Sequence, residues 1–175
     1  MKAKIRELLE YVIIFVVVVI LVWLMDTFLI VNAQIPSESM ENTIMTGDRV
    51  IGNRLAYKTG IPQRYDIIIF KYPDDESVLY IKRIIGLPGE TVTILGGKVY
   101  INGAAEPLDD SFTPEVPLGD FGPYTVPGNS YFVLGDNRNY SFDSRYWENT
   151  FVREDQILGK AAFCYFPFNR MGKVE

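Results

Sequence analysis

From Tyr11 to Val31 the chain is almost unbroken in apolar side chains, with only Asp26 and Thr27 polar. No polar positions recur at helical spacing, so a helix here has no face to turn toward water, unlike the surface helix of a soluble domain. These 21 residues, at about 1.5 Å each, reach roughly 30 Å, the hydrocarbon thickness of a bilayer. The pattern predicts a membrane-spanning helix over residues 11–31. Lys2, Lys4 and Arg6 precede it, and the next cation is Arg49. That asymmetry places residues 1–10 in the cytoplasm and 32–175 outside, with Asp26 near the outer interface. A cleaved signal peptide is the rival, because Val31-Asn32-Ala33 roughly meets the small-residue cleavage rule. The uninterrupted core from Tyr11 to Met25 is at or beyond the upper length of such a peptide, so a retained anchor is expected.

Beyond the anchor the period changes. Residues 49–57, 66–72, 79–87, 91–103, 130–136 and 157–166 are β-branched or aromatic runs bounded by Gly, Pro and Asp, which predicts strands. Gly96-Gly97 predicts a tight hairpin turn. Long amphipathic helical stretches are absent, and the expected fold is mainly β, an antiparallel barrel-like domain following a single helix. Residues 104–127 are rich in proline and carry five acids. They read as a loop or small insertion whose acids form a solvated face, since no calcium-loop spacing is present.

Composition narrows the chemistry. A net charge of -5 argues against nucleic acid as a partner. The single cysteine, Cys164, sits in an apolar run and reads as a buried small hydrophobe. There is no histidine, which removes the commonest general base and the commonest zinc ligand and rules out Ser-His-Asp and Cys-His catalysis. No cofactor or metal is expected.

A histidine-free hydrolase needs another base. An exposed lysine, with a pKa near 10.4, is a poor one near neutrality, but burial lowers the pKa by disfavouring the charge. Lys82 lies in an apolar strand run, with Tyr80 and Ile84 on its face. The ordinary alternative is an edge-strand lysine that discourages aggregation. "IPSESMENT" at residues 35–43 holds Ser37 and Ser39 just past the anchor, as a polar turn or as a nucleophile with a helper. A third polar cluster, "GDNRNYSFDSRYW" at residues 135–147, either holds a neighbouring catalytic strand or is a turn with surface ion pairs.

Together, "PSESM", "YDIIIF", "YIKRIIGLPGE", "GKVYING" and "GDNRNYSFDSR" resemble, in order and approximate spacing, the boxes of the bacterial type I signal peptidases. The likeness runs from the anchor to about Phe163. It implies a mainly β core and a Ser-Lys dyad, with Ser39 as nucleophile and Lys82 as general base. It further implies that Ser37 and the Ser39 N–H form the oxyanion hole, that Ser141 orients the lysine, and that Asp143 and Arg145 support that corner. Ile35, Pro36, Met40, Tyr80 and Ile81 match positions lining shallow substrate pockets. The implied substrates are secretory preproteins leaving the translocation machinery, cut after small residues at -1 and -3. The implied place is the bacterial cell membrane, with Ile44 and Met45 available to touch lipid. The chain departs from the family pattern at Glu38, where many members carry Gly, and at Asn42, where a proline is usual. "ENTFVRED" at 148–155 departs as well. A narrower processing peptidase and a non-catalytic β module that binds peptides are the alternatives. Retention of both Ser39 and Lys82 argues against the module.

Overall fold

The structure, a computed structural model, describes residues 2–174, with side chains from Lys4 onward. Helix α1 (Lys2–Phe28) is followed after one residue by strand β1 (Ile30–Gln34). The apolar run expected as helix to residue 31 therefore changes conformation before its end. Val31 leaves the helix because it has a place in the protein core, paired opposite Gly52 and buried. The apolar side chains of α1 are exposed along its length, so no protein core covers them.

The rest is antiparallel sheet. Strands β2 (Arg49–Asn53), β3 (Ile67–Tyr72), β4 (Asp75–Gly86), β8 (Ser130–Leu134), β9 (Val152–Arg153), β10 (Ile157–Phe166) and β11 (Gly172–Lys173) join β1 in one eight-stranded sheet. Its order is β1-β2-β10-β3-β4-β8-β9, with β11 paired to β10. Strands β5 (Thr91–Leu95), β6 (Lys98–Ile101) and β7 (Phe121–Thr125) form a second sheet in the order β6-β5-β7. Among the described residues the large sheet is an open path, with no pairing that closes it into a barrel.

The predicted strands are present, with shifted ends. The run 49–57 stops at Asn53, whose side-chain oxygen accepts the Leu55 N–H at 2.9 Å and turns the chain into the short helix α2 (Ala56–Thr59). The Gly96-Gly97 hairpin holds both residues at positive φ, +55° and +76°, the left-handed geometry of a tight two-residue turn. Strand β7 falls inside the stretch expected as loop, where its partner β5 supplies the pairing that the local sequence does not advertise.

Three apolar clusters surround the middle of the large sheet. On one face Ile35, Met40, Ile44, Ile67, Ile69 and Ile81 pack together, so Ile44, expected to be available to lipid, is instead buried in the core. On the other, Ile68, Phe70, Ile84, Val133 and Trp147 do so. A third cluster, including Ile85, Val92, Phe132 and Leu134, binds the small sheet to the large one. Strand β4 contributes to all three through alternating side chains, so its buried second half, residues 81–86, makes a water-excluded centre for a polar side chain.

Candidate active site

Lys82 sits at that centre. Ile68 lies opposite it on β3, and its Nζ lies 5.5 Å from the centre of the Tyr80 ring. Lys82 is 4% exposed. Burial drives its pKa down from 10.5 to about 8, partly opposed by the charges of Asp143 and Asp136 and reinforced by Arg145. Its Nζ lies 2.5 Å from the Ser39 hydroxyl oxygen. The Ser37 hydroxyl in turn donates to the Ser39 oxygen at 3.3 Å.

Ser39 opens a compact turn. The Glu41 N–H donates to the Glu38 carbonyl at 2.9 Å, and the Ile44 N–H donates to the Met40 carbonyl at 2.8 Å. Two bonds from one loop residue fix its backbone: the Asn137 N–H donates to the Ser39 carbonyl and the Asn137 amide to the Glu38 carbonyl, both at 3.2 Å. Among the described residues the Ser39 N–H has no protein acceptor. Glu38 is exposed and stays off the groove that Ser37 and Ser39 line.

The loop after β8 is a buried ion-pair network rather than a solvated turn. Arg83, on the opposite face of β4 from Lys82, grips Asp136 with two bonds of 2.8 and 2.7 Å, and the Thr43 hydroxyl donates to the same carboxylate at 2.5 Å. Asp136 is fully buried. The fork therefore joins the lysine's strand to the serine's turn. A second fork joins Arg145 to Asp143 at 2.8 and 2.9 Å, and Asp143 also accepts the Gly135 N–H at 3.1 Å. Burial of Arg145 would lower its pKa, but its bonds and charge pairing with Asp143 outweigh that and raise it. Gly135 has no room for a side chain, since a Cβ there would collide with the Ser39 carbonyl and with Ser141. The Ser141 hydroxyl is buried without a hydrogen-bond partner, so the bond to Lys82 that the resemblance implies is not made in this structure.

Beside Ser39 and Lys82 runs a groove of about 380 Å³. Of the residues the resemblance assigned to substrate pockets, Ile35, Pro36, Tyr80 and Ile81 line it, while Met40 lies beneath in the core, fully buried. Sequence reasoning missed Ile69, Val78, Leu79, Tyr140 and Phe142, which also line it. Nothing local in the sequence marks them, because sheet register brings in Ile69, Val78 and Leu79 and the loop after β8 brings in Tyr140 and Phe142. Tyr80 is held by stacking on Tyr72 at 4.6 Å and by the edge of Trp147 at 5.9 Å. No group of His, Cys, Asp and Glu suited to a metal ion occurs among the described residues.

Comparisons with known proteins place the chain in a family. A family model described as "Signal peptidase, peptidase S26" matches residues 8–166. Signal peptidase I of Leptolyngbya laminosa is 41% identical over 156 residues, covering 85% of this chain and 74% of that one. Signal peptidase I T of Bacillus subtilis (strain 168) is 38% identical over 182 residues, covering 99% and 93%. A solved signal peptidase I from Enterococcus faecalis aligns at 39% identity over 58% of this chain and 97% of that one, with a TM-score of 0.49. The molecule is thus a serine endopeptidase, a peptide hydrolase of mainly antiparallel β structure. Within that class, the chain belongs to the signal peptidase family, peptidase S26.

Proposed function

We propose that this protein is a membrane-anchored endopeptidase that removes signal peptides from secreted preproteins, with Ser39 and Lys82 as its dyad. The observation that carries the reading is the buried Lys82 amine, its pKa brought down to about 8, standing 2.5 Å from the Ser39 hydroxyl. Lys82 in its neutral form accepts the Ser39 proton as the oxygen attacks the scissile carbonyl. The resulting ammonium then gives that proton to the departing amine, leaving an acyl-enzyme on Ser39. Lys82, neutral again, deprotonates the hydrolytic water, and the acid product leaves with Ser39 restored. The unpaired Ser39 N–H and the Ser37 hydroxyl are the donors for the oxyanion, the latter after rotating from its present bond to Ser39. Ser141, with its hydroxyl free, is the partner for the amine once substrate closes the site. The Asp143–Arg145 fork fixes that corner.

The groove suits an extended peptide. Strand β1 pairs only with β2, and β4 pairs with β8 only from Arg83 onward, so both walls offer unpaired backbone edges that can take an added strand. In an extended substrate the -1 and -3 side chains point the same way. Ile35, Ile69, Ile81 and Tyr80 crowd the groove, which favours small residues at both positions. Helix α1, long and apolar enough to cross a bilayer and not covered by the rest of the protein, serves as the anchor, with residues 1–10 cytoplasmic and the catalytic domain outside. Cleavage of a preprotein in detergent by the wild type, Ser39→Ala and Lys82→Ala tests the reading. Both variants are expected to be inactive, and undiminished cleavage by either sinks it.

A further inference from the structure

The insertion at 104–127 is expected to be a solvated acidic loop, yet its centre packs against residues that flank the Ser39 turn and the Lys82 strand. Phe112 packs against Arg83, whose guanidinium carbon is 4.2 Å from its ring centre. Tyr65 meets the same ring edge-on at 5.7 Å. The Phe112 carbonyl accepts the Asn42 side-chain amide at 3.0 Å. Asn42, three residues past Ser39, holds φ at +87°, a conformation that asparagine tolerates and proline cannot adopt. The departure from the family pattern at this position is therefore matched to a contact with the insertion. The insertion grips the loop after β8 as well. Asp110 takes both ends of the Arg138 guanidinium at 2.9 and 2.8 Å, and Arg138 donates to the Gly135 carbonyl at 3.1 Å. Asn139 accepts the Leu118 N–H at 2.9 Å and donates to Glu115 at 3.2 Å.

We infer that Phe112 and Asn42 form a clamp through which the acidic insertion positions Ser39 against Lys82. Phe112 shields the Arg83–Asp136 fork from water, which strengthens the fork. That fork ties the strand of Lys82 to Thr43 in the turn of Ser39. Asn42 pins the same turn from its outer side. Neither residue touches the groove or the reacting atoms, so both are positioning residues. Small losses of alignment between a nucleophile and its base are costly, with a displacement of about 1 Å worth about 100-fold in rate.

The inference rests on the assignment of Ser39 and Lys82 above, and the experiment separates the two. The full-length protein in detergent is assayed on one preprotein as wild type, Phe112→Ala, Phe112→Tyr, Asn42→Gly, Glu106→Gln and Ser39→Ala, with kcat, KM and thermal midpoint recorded. Asn42→Gly keeps the positive φ and deletes only the amide. Expected are a roughly tenfold lower kcat for Phe112→Ala, a roughly fivefold lower kcat for Asn42→Gly, KM within about twofold in both, and recovery in Phe112→Tyr. Glu106→Gln, an exposed position of the same insertion, is expected to match the wild type. Unchanged kcat in Phe112→Ala and Asn42→Gly beside an inactive Ser39→Ala overturns the clamp and leaves the dyad standing. Losses confined to KM, or no recovery in Phe112→Tyr, overturn it too. Should Phe112→Ala not fold, Asn42→Gly decides alone. An active Ser39→Ala removes the dyad and the clamp with it.

Discussion

The Lys82 amine and the Ser39 hydroxyl stand 2.5 Å apart, and among the described residues no carboxylate pairs with that amine. Asp143 and Asp136 act on it only through space, and desolvation outweighs them. Each carboxylate is instead claimed by an arginine, Asp143 by Arg145 and Asp136 by Arg83. The arginines thereby keep Lys82 from gaining the ion pair that would hold it protonated.

The rate should follow the neutral fraction of that amine. Below its folded pKa of about 8, kcat/KM should fall about tenfold for each pH unit, and above it the curve should level off. A profile measured between pH 5 and pH 10 checks this, and a limb centred near pH 6 would contradict the role of Lys82. Chelators should leave the rate unchanged.

The same burial predicts a stability effect of opposite sense to a typical ion pair. The unfolded lysine titrates near 10.5 and the folded one near 8, so the unfolded state binds more protons between those values and stability rises with pH across that window. Below pH 8 the full penalty is present, about 3 kcal/mol. Lys82→Met should therefore be inactive yet more stable than the wild type at pH 7, with the gap closing by about pH 10.5. Urea midpoints at both pH values measure it, and a variant destabilised at pH 7 contradicts the argument.

Ser37 is exposed, and its hydroxyl bonds only to the Ser39 oxygen, at 3.3 Å. Ser37→Ala should melt with the wild type yet lose about 100-fold or more in kcat, the usual cost of one oxyanion donor. If the loss falls on KM alone, the hydroxyl binds substrate rather than the transition state.

Asp136→Ala leaves the Arg83 charge buried without its partner. Breaking such a pair costs about 3–5 kcal/mol, and because Thr43 loses its acceptor too, activity should fall together with the denaturation midpoint. A variant of unchanged stability would show that the fork is not what holds the serine turn.

Much of this was legible in the sequence, for physical reasons. The strands show because β-branched and aromatic runs end at Gly, Pro and Asp, and Lys82 stands out because a cation inside "YIKRII" is costly to bury. The pattern alone leaves an edge-strand lysine open, and only the resemblance assigns it a role. The absence of histidine left few other bases. What was not legible depends on partners distant in the chain. Strand β7 needs β5, Met40 sinks into the core instead of facing the groove, and Ile69, Val78 and Leu79 reach the groove only through sheet register. Of the acids of 104–127, Glu106, Asp109, Glu115 and Asp120 are exposed as expected, and only Asp110 departs, because nothing local reveals that it meets Arg138 across 28 positions.

Only Leu29 separates the end of α1 from the start of β1, and β1 supplies Asn32, Ala33 and Gln34 to the groove. With α1 set in a bilayer, that single residue leaves no slack between lipid and catalytic wall. An enzyme held in this way would work as a ruler rather than on a leash, cutting at a fixed height above the surface. Substrate choice would depend on how far a peptide's scissile bond stands from the membrane as much as on its side chains. Adding a flexible Gly-Ser segment at Leu29 should blur that height, slowing the cleavage of membrane-held preproteins while sparing short soluble peptides.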